Sequence, residues 1–199
     1  MNMRNVNIVA RYESKLLRRD IVFLGFVVIA LVGISLWQMI KQGRVNVFWY
    51  KVALPSSFPF FSMYYYNLVQ VLIALFVCME VVYRERKKDA MEVFLCRPFR
   101  NSEYCIGRFL GIFRMFLFVN ICVLLVCMYI NLWVVGAPFN VWIYVFYLFT
   151  LSIPTLIFVL GCALSISAMV KNRPLSVLVL GLFGLGVYFY LDEWQFGAF

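Results

Sequence analysis

Few side chains in this sequence could do chemistry, and most of them stand in one stretch. Residues 83–107, YRERKKDAMEVFLCRPFRNSEYCIG, form the long charge-dense segment between two strongly apolar ones, and they hold six of the 18 Lys and Arg. The sequence has no histidine, which removes b-type haem ligation, His-based zinc sites and Ser-His catalysis. The six cysteines form no C-x-x-C pair, and most lie in apolar runs, where a thiol acts as a small hydrophobe. Five other polar residues interrupt apolar runs: Asn67, Gln70, Glu80, Arg114 and Asn120. Such groups are costly in lipid and mark either function or helix packing. Glu80 is about one turn from the charged stretch and Arg114 is six residues past Arg108, so both can snorkel towards water. A Glu80–Arg114 pair between adjacent helices is expected, with a structural role favoured over ion transport.

Within the charged stretch, Asp89-Ala-Met-Glu92 has the form of a helix start. Asp89 can cap a first-turn amide and Glu92 sits near the positive helix end. Met91, Phe94 and Leu95 then share an apolar face, and Pro98 stops the helix by disfavouring helical geometry at Arg97. A second start follows at Asn101, with Glu103 in the first turn, and this helix runs on into the next apolar segment. The first of the two helices spans about two turns, roughly 10 Å. It is marginal alone and needs a partner surface, lipid headgroups or protein.

The elements around this stretch are set by composition. At 65% hydrophobic and 14% charged residues, the chain has far more apolar side chain than a soluble fold of its length can hide. Five apolar segments read as spans: 21–40, 58–83, 109–135, 141–170 and 175–191. Pro154 is expected to kink the fourth, freeing a carbonyl that Ser152, Thr155 or a neighbouring helix helps to satisfy. Gly161 with Ser165 and Ala163 with Ser167 are small-x-x-x-small pairs that would let helices approach. Lys and Arg divide 14 to three between the two sides, which predicts a cytoplasmic N-terminus and a cytoplasmic 84–107 segment. The net charge of +9 therefore reports orientation rather than nucleic-acid binding. Trp49, Tyr50, Trp133 and Trp142 fall where interfacial aromatic belts are expected.

The first 19 residues do not read as a cleavable signal, because a full-length apolar run follows without a small-x-small site. As a helix, Val6, Val9, Ala10, Leu16 and Leu17 share one face. Arg4, Asn7, Arg11, Lys15 and Arg18 share the other. That pattern suits a basic amphipathic helix in the headgroup layer, with a plain charged flank as the alternative.

The charged stretch resembles the coupling-helix region of type-2 ATP-binding-cassette (ABC) export permeases. The match rests on Glu85-Arg86, Met91-Glu92, Val93-Phe94-Leu95, Pro98, Arg100-Asn101-Ser102 and Gly107-Arg108. Asp89 stands where a glycine is frequent in that family, and Arg108 where a lysine is. Glu13-Ser-Lys-Leu-Leu-Arg18-Arg19 is similar to the family's N-terminal elbow helix, which would include Arg11 and Lys15. Ala163-Leu-Ser-Ile-Ser-Ala-Met-Val-Lys-Asn-Arg173 is similar to the end of its fourth span.

The resemblance implies one transmembrane permease domain over 1–199. It would comprise an elbow helix at 1–20, about five transmembrane helices and a short cytoplasmic coupling helix within 84–107. It would be an all-α integral membrane protein of the cell (inner) membrane. Glu85, Asp89, Met91, Glu92, Phe94, Leu95 and Pro98 would contact a cytoplasmic ABC ATPase subunit. A second permease subunit, the same or different, would complete the membrane half. The chain has no G-x-x-x-x-G-K-[ST], so ATP-Mg would bind the partner ATPase, and no cofactor or metal is expected here. Because family members usually have six spans and this chain ends on apolar Phe196-Gly-Ala-Phe199, a longer parent permease is expected. Two other readings stay open. A scaffold or assembly protein would share the topology. A membrane-embedded enzyme would need convergent polar groups that the spacing does not offer.

Overall fold

The computed structural model describes residues 3–45, 57–85, 100–133 and 139–170, with scattered residues between 175 and 189. Every described element is helical. In chain order they are α1 (Met3–Leu17), α2 (Ile21–Val45), α3 (Ser57–Glu85), α4 (Asn101–Trp133) and α5 (Val141–Tyr147). A π-helical turn at Leu148–Ser152 follows, and then α6 (Ile153–Met169).

Three stretches are each long and apolar enough to cross a membrane: Ser62–Tyr83, Asn101–Trp133 and Val141–Met169, the last running through α5, the π-helical turn and α6. A fourth qualifies when α1 and α2 are taken together, although the two are bent by 72°. The three correspond to the second, third and fourth expected spans, and α2 lies where the first was expected. Of the fifth, 175–191, the described residues are helical, and Gly184 sits against Leu72 and Leu75 of α3. At most half of each long apolar window is buried inside the chain. Val22, Ile29, Phe118, Leu125, Phe149 and Phe158 point outward, an apolar surface suited to lipid.

The core gathers where α2, α3 and α4 meet. Phe23, Phe26 and Phe116 form an aromatic cluster with centroids 5.5–6.3 Å apart, the range of favourable ring pairs. Met63, Tyr66, Cys78 and Ile112 belong to the same buried cluster.

Local chemistry explains the helix ends. Asp20 accepts a hydrogen bond from the Val22 amide at 2.9 Å, which starts α2 straight after α1 ends. Asn140 does the same for Trp142 at 3.0 Å and starts α5. α4 begins at Asn101, as its acidic first turn and the upstream proline predict, and runs unbroken for 33 residues.

The region of Pro154 departs from expectation. Proline near the start of α6 follows the π-helical turn Leu148–Ser152, whose wider winding takes up the missing i→i−4 donor. The Ser152 hydroxyl is not turned back to a freed carbonyl. It accepts from Asn67 Nδ2 at 3.1 Å and lies 3.9 Å from Met63 Sδ, both on α3.

Candidate functional site

The first 14 residues of α4 carry the tightest helix contact described, and they continue directly from the charged segment. α1 lies along them in the same direction. A Cβ placed on Gly107 would stand 2.7 Å from Val9 Cβ and 2.8 Å from the Val6 carbonyl oxygen. One placed on Gly111 would stand 2.7 Å from Glu13 Cβ and 2.8 Å from the Ala10 carbonyl oxygen. A step of four residues on α1 thus meets a step of four on α4, and only glycine admits this approach. Ala10 is wholly buried at the seam, with Val6, Val9 and Leu17 beside it.

Polar groups secure both edges. Ser14 Oγ lies 2.8 Å from the Ala10 carbonyl and 3.0 Å from the Gly111 carbonyl, able to donate to either. Asn5 Nδ2 donates to Glu103 Oε2 at 3.1 Å, and Arg114 Nη1 donates to Asn7 Oδ1 at 3.2 Å. Glu13 and Glu103 are both buried at this junction, which makes it polar as well as tightly fitted. Arg108, also buried, has its guanidinium 5.9 Å from the ring centre of Tyr104 on the same helix, within cation–π range.

This geometry changes the expected role of α1. Its apolar face is covered by α4 rather than turned to lipid. Glu13 shares that face, and Arg11, Lys15, Arg18 and Arg19 remain exposed on the outer side. Of the residues assigned to partner contact, Glu85 ends α3. Asp89, Met91, Glu92, Phe94, Leu95 and Pro98 lie outside the described residues. Glu80 and Arg114 stand in different grooves: Glu80 lines one with Asp20, and Arg114 lines another with Arg11 and Arg18. Arg114 spends its hydrogen bond on α1, in place of the expected partner on α3.

The polar residues inside the spans tie helices together. Asn120 Nδ2 donates to Gln70 Oε1 at 3.2 Å, linking α4 to α3. Asn67 joins α3 to Ser152, and Asn131 Nδ2 donates to Tyr144 Oη at 2.9 Å, linking α4 to α5. Asn67 Oδ1, Gln70 Nε2, Asn120 Oδ1 and Asn131 Oδ1 have no further partner among the described residues. Between α3 and α6 lies a groove of about 690 Å³, lined by Leu68, Leu72, Pro154 and Phe158, with Asn67 its one amide. Among the described residues, no three His, Cys, Asp or Glu side chains gather into a metal-binding group.

Sequence reading missed the Gly107–Gly111 seam and the Asn131–Tyr144 bond. The signal for the first was present, because Ala10 and Ser14 on α1 repeat the same four-residue small spacing as the two glycines. It singled out Gly161 with Ser165 instead, where a Cβ on Gly161 would meet nothing within 4 Å. Compared with family models, curated proteins and solved structures, the chain matches none of them.

Proposed function

We propose that the chain is the membrane-spanning subunit of an ATP-driven ABC-type exporter in the cell membrane. Its N-terminus and the 84–107 segment face the cytoplasm. ATP hydrolysis resides in a separate cytoplasmic ATPase subunit, and a second permease subunit completes the pathway. The helix starting at Asp89 seats in the ATPase through Met91, Phe94 and Leu95, with Glu85, Glu92 and Pro98 setting its polar rim and its end.

One observation carries this reading. The helix that leaves the charged segment is α4, and α4 is clasped at Gly107 and Gly111 by an N-terminal helix bent 72° from α2. A push on the segment would pass first into this α1–α4 unit and from there to the spans. Such a lever is what a subunit needs if its energy source lies outside the membrane. A scaffold has no use for one.

The test is a coupled assay in proteoliposomes with the cognate ATPase. Phe94→Asp and Glu92→Lys should insert normally yet lose transport and transport-stimulated ATP hydrolysis. Normal coupling in both variants refutes the assignment.

A further inference from the structure

A groove of about 800 Å³ opens where α1, α2 and α4 come together. Arg11, Lys15, Arg18 and Arg19 line it from α1 and the joint that follows, and Arg114 lines it from α4. No carboxylate lines it among the described residues: Asp20 and Glu80 belong to a different groove, and Glu13 is buried in the α1–α4 seam. Arg114 meets only the neutral amide of Asn7. Five like charges around one depression repel one another, and an anion there relieves all five.

The other wall is apolar and runs in a defined direction. On α4, Arg114, Phe118 and Cys122 line the groove at successive four-residue steps, so a cation gives way to apolar surface over about 12 Å. Leu24 and Val27 of α2 descend alongside, and Leu24 and Phe118 are among the side chains exposed on the outer surface of the spans. The occupant must therefore be an anion at one end and a hydrocarbon along the other. An acidic protein segment satisfies the first requirement and fails the second.

We propose that this groove binds an anionic phospholipid. Its phosphate is held among Arg18, Arg19 and Arg114, with Arg11 and Lys15 beside them, and one acyl chain lies along Leu24, Val27 and Phe118. The inference rests on the membrane setting of the helices and not on the exporter reading. It also gives the basic face of α1 a specific ligand in place of a diffuse attraction to headgroups.

The experiment uses the full chain in nanodiscs of equal phosphatidylglycerol and phosphatidylcholine, followed by native mass spectrometry of the lipids retained on release. Wild type should retain phosphatidylglycerol preferentially. Arg18→Gln/Arg19→Gln/Arg114→Gln should lose that preference by about fivefold per charge, roughly a hundredfold in all. Arg18→Lys/Arg19→Lys/Arg114→Lys should keep most of it, which separates lost charge from lost fold. Arg4→Gln/Arg100→Gln removes two exposed charges that do not line the groove and should leave the preference unchanged. Equal retention of the two lipids by wild type overturns the proposal. So does an equal loss in the two Gln variants, which would show diffuse charge only. Displacement by glycerol 3-phosphate as effective as by the lipid would show a free-phosphate site and overturn it as well.

Discussion

Replacing Gly111 by alanine sets two known effects against each other, and the structure decides the sign. In an ordinary helix interior the change gains roughly 1 kcal/mol of helix propensity. At this position the new methyl would stand 2.7 Å from Glu13 Cβ and 2.8 Å from the Ala10 carbonyl oxygen. Carbon contacts settle at about 3.5–4.0 Å, so α1 must retreat by about 1 Å. The obstructing atoms belong to a backbone and a Cβ, and no rotamer change clears them. Overpacking of that kind costs about 1–3 kcal/mol.

The retreat also pulls Ser14 Oγ away from the Gly111 carbonyl, now at 3.0 Å, to a distance that no longer counts as a hydrogen bond. That removes about 0.5–1.5 kcal/mol more. The balance is a net loss of about 2 kcal/mol. Gly25→Ala and Gly161→Ala serve as controls, since nothing lies within 4 Å of either added methyl, and each should gain up to about 1 kcal/mol. The assay is thermal unfolding in detergent followed by tryptophan fluorescence. A contrast of about 3 kcal/mol corresponds to roughly 6–12 °C between Gly111→Ala and the controls. If Gly111→Ala rises with the controls, α1 does not pack on α4 and the elbow geometry is wrong.

Two further outcomes test other joints of the bundle. A double-mutant cycle with Gln70→Leu and Asn120→Leu should show a coupling of about 0.6 kcal/mol, and no more than about 1.7 kcal/mol, as membrane-interior hydrogen bonds do. Strictly additive losses in denaturant titrations would mean the two amides do not meet. Asp20→Ala should lower stability by about 1 kcal/mol while Asp20→Asn holds it, because the Val22 amide needs only a side-chain oxygen. Equal losses in the same titrations would show that the cap is not what starts α2.

What the sequence revealed follows from which forces are local. Helix positions were legible because apolar length and flanking breakers act along the chain. Pro98 and Asn101 announced the start of α4, and the apolar face of α1 was visible at Val6, Val9 and Ala10. What covers that face was not legible, because helical periodicity marks a buried side without naming the neighbour. The same limit applies to the polar residues. Asn67, Gln70 and Asn120 stood out, but Asn67 bonds to Ser152, 85 residues away, and only the packing of α3 against the π-helical turn makes that contact. Glycine spacing misled for a related reason. Gly161 and Gly111 look alike in sequence, and they differ in whether another backbone lies against them.

The position of the seam bears on how force would travel in the proposed exporter. Gly107 and Gly111 lie six and ten residues beyond the start of α4, about 9 and 15 Å along its axis. Any displacement of the charged segment reaches this clasp before it reaches Asn120 or the aromatic cluster at Phe116. Two helices interlocked by glycines slide poorly against each other, so α1 and α4 must move together. The compliance then falls on Arg18, Arg19 and Asp20, the joint between α1 and the separately capped α2. A bend there of 72° leaves room to open or close without breaking either helix. The cationic groove straddles this joint, with Arg18 and Arg19 on its rim and Arg114 on its α4 wall. An anionic lipid seated there would touch both sides of the joint, its phosphate on the cations of the α1–α4 unit and its acyl chain along Leu24 and Val27 of α2, and anionic lipid content would then set the stiffness of the coupling.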